Sequence, residues 1–228
     1  LAQIYRLKKQ SPLSLVFICM SIHLQDLYVQ LCLEDNKAPV SVYAFAKAAG
    51  ITESEFYNHF ASLDALESDL FRSWWAEAVR MASAVEVYSS YSGREKMLSL
   101  FFTWIEVLRK NRSFVQFVKS KHHSFPPQIP AWLKPLREQF MEDVKPILHE
   151  SIGTKEIVDR KYLSDKYVEG LWVNFLFITD FWLKDQSKGF EKTDEAIEKS
   201  LHLSFDLLGK SALDTALEFG KFLFQQKK

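Results

Sequence analysis

Cysteine is almost missing from this chain. Cys19 and Cys32 are the only two in 228 residues. That is too few for a disulfide framework, so a reducing cytoplasm is the expected home and both thiols read as inert. Glycine and proline are scarce too, with seven of each, and long apolar runs at i, i+3, i+4 spacing continue between them, which disfavours short alternating strands. Net charge is also absent, since 29 basic residues balance 29 acidic ones. Nucleic-acid binding would then need a local positive face, because the whole molecule offers a polyanion no general attraction. Signatures of catalysis and metal binding are lacking: there is no HExxH, CxxC or GxxxxGK(S/T). His122 and His123 are adjacent and would point to different sides of a helix, while His149 and His202 stand alone. Glu142 and Asp143 lie beside basic partners and read as a solvated helix face. Neither an enzyme nor a metal nor a cofactor is expected. A membrane span is not expected either. Val168 to Leu183 holds no Lys or Arg, but it contains Glu169 and Asp180 and would extend only about 24 Å as a helix.

What the chain does have is 47% hydrophobic and 14% aromatic residues, enough for a sizeable core, and helical periodicity almost throughout. The expected class is all-α. Residues 1–21 place Arg6, Lys8 and Lys9 before an apolar run from Leu13 to Met20, the outline of a signal peptide without a small-residue cleavage site. They are expected to be an extension that precedes a natural start at Met20, or alternatively a basic arm. Ile22 to Leu33 fits a first amphipathic helix, broken by Asn36 and Pro39. Ser41 is a plausible N-cap for a short helix that Gly50 ends. Thr52 then opens another, with Glu55 completing a capping box.

The segment AFAKAAGITESEFYNHFASLDALESDLF, which starts at Ala44, resembles the helix-turn-helix of the TetR family of bacterial transcriptional regulators. The resemblance rests on Ala46, Ala48 and Ala49 before the Gly50 turn, on Phe56-Tyr57 and His59-Phe60, and on Ser62 to Leu66 opening a long linking helix. It implies a three-helix DNA-binding domain over 22–66 and a larger helical domain over 67–228 that binds an effector and dimerises. It also implies that Ser41, Thr52, Glu53, Ser54, Tyr57, Asn58 and His59 face double-stranded DNA at a palindromic operator. Two departures stand out. Leu63 occupies a position where the family commonly has Lys, and residues 22–66 carry six acids against Lys37 and Lys47, a net of −4 with histidines neutral.

In the larger domain, Ser92 and Glu95 form another capping box ahead of an apolar helix. Phe101, Trp104, Ile105, Leu108, Phe117, Phe140, Trp172 and Phe175 are the candidate lining of a pocket for an apolar effector, and Pro135 and Pro146 predict kinks or a break. Thr193 is the expected cap of a helix whose Ile197, Leu201, Phe205 and Leu208 form one stripe. With Phe177, Phe181 and Ser204 these residues are the candidate homodimer interface that the resemblance implies. A final helix is expected over LDTALEFGKFLFQQ. The leading expectation is a ligand-responsive regulator of transcription, with repression as the more usual mode. The alternative is a TetR-fold protein that has lost DNA binding and holds a lipid or other apolar molecule for a partner.

Overall fold

The computed structural model describes residues 12–121, 131–160, 166–209 and 222. The basic arm at Arg6, Lys8 and Lys9, the histidine pair at 122 and 123, and nearly all of the expected final helix lie outside the described residues. The described chain is built of helices: α1 (Pro12–Glu34), α2 (Val42–Ala49), α3 (Glu53–His59), α4 (Leu63–Ser83), α5 (Gly93–Arg109), α6 (Arg112–Lys121), α7 (Lys134–Gly153), α8 (Tyr167–Lys184) and α9 (Glu191–Leu208), with short 3-10 turns between some of them. No strand occurs among the described residues, and no helix among them is long and apolar enough to cross a membrane. The chain divides into two compact units, Leu1–Phe71 with Asn111–Pro135, and Arg72–Lys110 with Leu136–Lys228. The first unit thus includes α6, which follows α5 in the chain.

In the first unit α1 begins at Pro12, ten positions before the helix expected from Ile22. Proline suits a first turn, whose N–H groups have no partner inside the helix. Leu24, Tyr28 and Cys32, spaced four apart, are fully buried, and Asn36 takes a left-handed φ of 46° just past the helix end. The Tyr28 ring meets Phe45 of α2 edge-on at 6.0 Å and Phe114 of α6 at 6.1 Å. Glu67 of α4 is buried as well. It accepts from the Tyr28 hydroxyl at 3.0 Å and from Lys121 Nζ at 3.2 Å, so three helices share one carboxylate. Burial alone would lower the Lys121 pKa, but Glu67 and Asp64 outweigh it and hold the ammonium charged. Burial also pushes the Cys32 thiol up to about 11, consistent with an inert sulfur.

In the second unit α5 is buried on most sides, as an apolar helix enclosed by others must be. Its first turn carries the expected Ser92–Glu95 box and a second, non-local cap: Glu156 accepts the N–H of Gly93 at 2.8 Å and of Arg94 at 3.1 Å. A side chain at Gly93 would collide with Ser151, so this approach depends on glycine. Neither proline breaks α7. Pro135 sits in its first turn, where no N–H is missed, and Pro146 lies inside a helix that continues to Gly153.

The expected Thr193 cap is corrected. Gly189 and Phe190 are both left-handed, each at φ 67°, and α9 starts at Glu191. Asp185 instead accepts from Thr193 N–H at 2.9 Å and from the Thr193 hydroxyl at 2.7 Å, while Ser187 accepts from Lys192 N–H. The capping groups come from the preceding turn because Phe190, at the cap position, has no side-chain acceptor; its ring lies 6.0 Å from Trp182 and 5.4 Å from the Arg109 guanidinium.

Candidate DNA interface and effector core

The helix-turn-helix forms from local chemistry. The Ser41 hydroxyl accepts from Ala44 N–H at 3.1 Å, which starts α2. Its end is a Schellman motif: Ile51 N–H reaches the Ala46 carbonyl at 3.0 Å and Gly50 N–H reaches Lys47 at 3.3 Å. Gly50 is at φ 68°, a conformation glycine adopts without steric cost. Thr52 then caps α3. Its hydroxyl accepts from Glu55 N–H at 3.2 Å, and Glu55 reaches back to Thr52 N–H at 2.7 Å. Those bonds hold the Glu55 carboxyl below its ordinary pKa, so it stays ionised. Phe45 and Phe56 are fully buried and meet edge-on at 5.7 Å, which fixes how α3 crosses α2.

That anchoring leaves Thr52, Glu53, Ser54, Glu55, Tyr57 and Asn58 exposed on α3, with Tyr57 at 53%. Ser41 is exposed at the start of α2. His59 is placed differently from the other expected DNA-facing residues. Its ring stacks on Phe17 at a centroid distance of 4.1 Å, and its Nδ1 lies 2.8 Å from Ser21 Oγ, both on the early turns of α1. Burial there lowers the imidazole pKa, which favours the neutral ring over the charged one on this face. The apolar run of α1 carried a signal for this packing, but a run of that kind does not reveal which distant side chain it covers.

The second unit gathers five of the expected effector residues into one cluster. Phe175 is its hub, with ring centroids at 4.9 Å from Phe140, 5.1 Å from Trp104, 5.3 Å from Trp172 and 5.7 Å from Phe101. Trp75 of α4 joins at 5.3 Å, a member sequence reading missed; its apolar spacing within the linking helix was the available signal. Two of the indole donors here find acceptors, Trp75 on Asp143 at 2.9 Å and Trp104 on Thr179 at 3.0 Å. Leu108 is fully buried. Ile105 instead borders a surface groove of about 340 Å³, shared with Val85, Phe102, Arg109 and Phe190. Phe117 belongs to the first unit, where it packs on Phe114 at 6.0 Å. Among the described residues, no group of three His, Cys, Asp or Glu side chains could hold a metal ion.

The expected dimer residues divide by face. Ile197, Leu201 and Phe205 are buried at 0, 0 and 1% exposure within the chain itself, where α9 packs on α5 and α8, so they are not available to a second copy. The outward face of α8 and α9 carries Val173, Phe177, Leu203 and Leu207 at 65, 52, 60 and 46% exposure. Phe181, Ser204 and Leu208 are half-buried along it, and Asn174 Nδ2 donates to Ser204 Oγ at 3.3 Å across the two helices. Three of the four residues of the stripe expected from the sequence thus face the core, and Leu208 lies at its edge.

Residues 96–223 match the family model described as "Tetracyclin repressor-like, C-terminal domain". The chain belongs to this family. The match takes in α5 through α9, so the helix-turn-helix of this tetracyclin repressor-like chain rests on its own geometry. No curated protein matches it. Among solved structures it is similar to a chain assigned to the tetR family of transcription regulators from Shewanella sp. PV-4, with TM-score 0.59 and 15% identity, covering 83% of this chain and 97% of the other. It is also similar to a protein of unknown function from Rhodococcus sp. RHA1, with TM-score 0.54 and 14% identity, covering 84% of this chain and 96% of that one. At such identities the likeness concerns fold. Among its described residues, the second unit of this chain is helical, with an aromatic core and exposed apolar side chains on α8 and α9.

Proposed function

We propose that the chain is a ligand-responsive transcriptional regulator that binds a palindromic operator as a homodimer, usually to repress. The observation that carries this reading is the pre-organised helix-turn-helix, whose second helix is capped, anchored by Phe56 and open to solvent along Thr52, Ser54, Tyr57 and Asn58. Tyr57 and Ser41 would reach phosphates, while Ser54 and Asn58 would approach base edges. Glu53 would accept from a cytosine N4 amine, an interaction that specifies a base without adding general affinity. The outward face of α8 and α9 would pair with itself in a four-helix interface. An apolar effector held by the aromatic core of the second unit would favour one arrangement of the dimer by binding it more tightly than the other.

A second reading has specific support. Glu53 and Glu55 are both exposed on α3, Leu63 brings no charge, and His59 is packed on Phe17, where burial disfavours its charged form. Phosphate neutralisation provides most non-specific DNA affinity, so a face this acidic favours a chain that keeps its effector site and no longer reads DNA. One experiment separates the two: incubate the purified chain with random genomic fragments at low and at physiological salt, and sequence what is retained. Enrichment of a few near-palindromic sites supports the regulator. Absence of retention at low salt overturns it in favour of the DNA-silent protein.

A further inference from the structure

In the aromatic cluster around Phe175, the Trp172 indole N–H is not matched. Trp172 is 2% exposed, and its Nε1 has no hydrogen-bond partner. Its neighbours Trp75 and Trp104 donate to Asp143 and Thr179. Buried donors are normally paired, and here the same cluster pairs two of its indoles and leaves a third without an acceptor. A second buried donor without a partner lies nearby, the Nε of Arg137. Arg137 and Phe140 are one turn apart on α7, Glu169 and Trp172 one turn apart on α8. The two helices meet there twice: the Phe140 and Trp172 rings are 5.3 Å apart, and Arg137 Nη2 donates to both Glu169 oxygens at 2.5 and 2.6 Å. Both unmatched N–H groups therefore sit along one seam between α7 and α8.

The charge at that seam narrows what could bind. The Arg137 guanidinium is already balanced by Glu169, so its remaining N–H offers polarity without free positive charge, and an incoming carboxylate would be repelled by Glu169. The walls are aromatic. We infer that the effector site includes this α7–α8 seam and takes an uncharged, apolar molecule bearing a carbonyl oxygen, which accepts from Trp172 Nε1–H and from Arg137 Nε–H. This rests on the reading of the second unit as an effector-binding unit and adds the chemistry of the effector.

Three probes of one skeleton test it by calorimetric titration into the full chain: 2-acetylnaphthalene, its hydrocarbon analogue 2-isopropenylnaphthalene, and 2-naphthoate. The ketone should bind about fivefold or more tighter than the hydrocarbon, the scale of one or two net hydrogen bonds, and the carboxylate should bind most weakly. Trp172→Phe keeps the aromatic wall and removes the donor, so the ketone-to-hydrocarbon ratio should fall toward one. Arg137→Lys keeps the charge, removes Nε and should lower the same ratio should the first variant fold poorly. Equal binding of ketone and hydrocarbon overturns the hydrogen-bond proposal and leaves the apolar-effector reading standing. Tightest binding by 2-naphthoate overturns the neutral class. No saturable binding by any probe overturns both the proposal and the apolar-effector reading.

Discussion

Glu53 and Asp185 show how differently two carboxylates can behave on one chain. Glu53 sits exposed in the first turn of α3 and takes no part in the capping box, which Glu55 closes. Replacing Glu53 by Lys should raise non-specific DNA affinity and steepen its dependence on salt by about one to two counterions, read from binding isotherms across a salt series. A flat response would mean that α3 does not approach the phosphate backbone. Asp185 has the opposite character. Burial alone would raise its pKa, but Ser187 N–H and the N–H and hydroxyl of Thr193 outweigh this and hold the carboxyl at about 2. A folded-state pKa below the unfolded value of about 3.9 contributes stability above that value and loses it as pH falls from about 4 towards 2. Asp185→Asn should therefore lower stability at neutral pH by about 1–3 kcal/mol and flatten that acid limb, measured by urea denaturation at several pH values.

At the scale of elements, α1 and α7 both depart from what their sequences suggest alone. The early turns of α1 pack Phe17 on His59 and lower the imidazole pKa. Phe17→Ala should return that pKa toward about 6.5, followed by NMR titration of the imidazole. Because the folded pKa is depressed, the wild-type first unit should lose stability as pH falls below about 6.5, and the variant should lose less. An unchanged titration would show that Phe17 does not shield the ring. In α7, Pro146 removes the N–H that would bond the Glu142 carbonyl, yet the helix runs on to Gly153. Pro146→Ala should raise the melting temperature, gaining up to about 3 kcal/mol if the helix straightens freely. A lower melting temperature would mean that the buried Val144, Ile147 and Leu148 pack around the proline's distortion. Capping boxes at Thr52 and Ser92 were legible in the sequence because their partners are three residues away. Glu156 capping α5 from 63 residues away in the chain, and Asp185 capping α9, were not.

For the whole molecule, the decisive property is which apolar rows are closed within one copy. Phe177→Glu places a charge on the open face of α8, and should shift the chain from dimer to monomer in sedimentation velocity with helicity unchanged by circular dichroism. Leu201→Ala acts on the closed row instead. It should cost about 2–5 kcal/mol of folding stability through the cavity it leaves. If Phe177→Glu unfolds the chain, or leaves its mass unchanged, the outward face is not the self-association surface.

The sequence by itself determined the all-helical class, most helix spans, the Gly50 turn and the caps at Ser41, Thr52 and Ser92, because periodicity and capping act over about four residues. It also marked Phe101, Trp104, Phe140, Trp172 and Phe175 as apolar helix positions. Only the tertiary structure decided which row of α9 faces the core, that Phe117 belongs with Phe114, that Phe17 covers His59, and that Trp172 keeps an unmatched N–H. The reason is physical: burial and pairing depend on which distant helix arrives at a face, and a one-dimensional pattern shows that a face is apolar without showing what covers it.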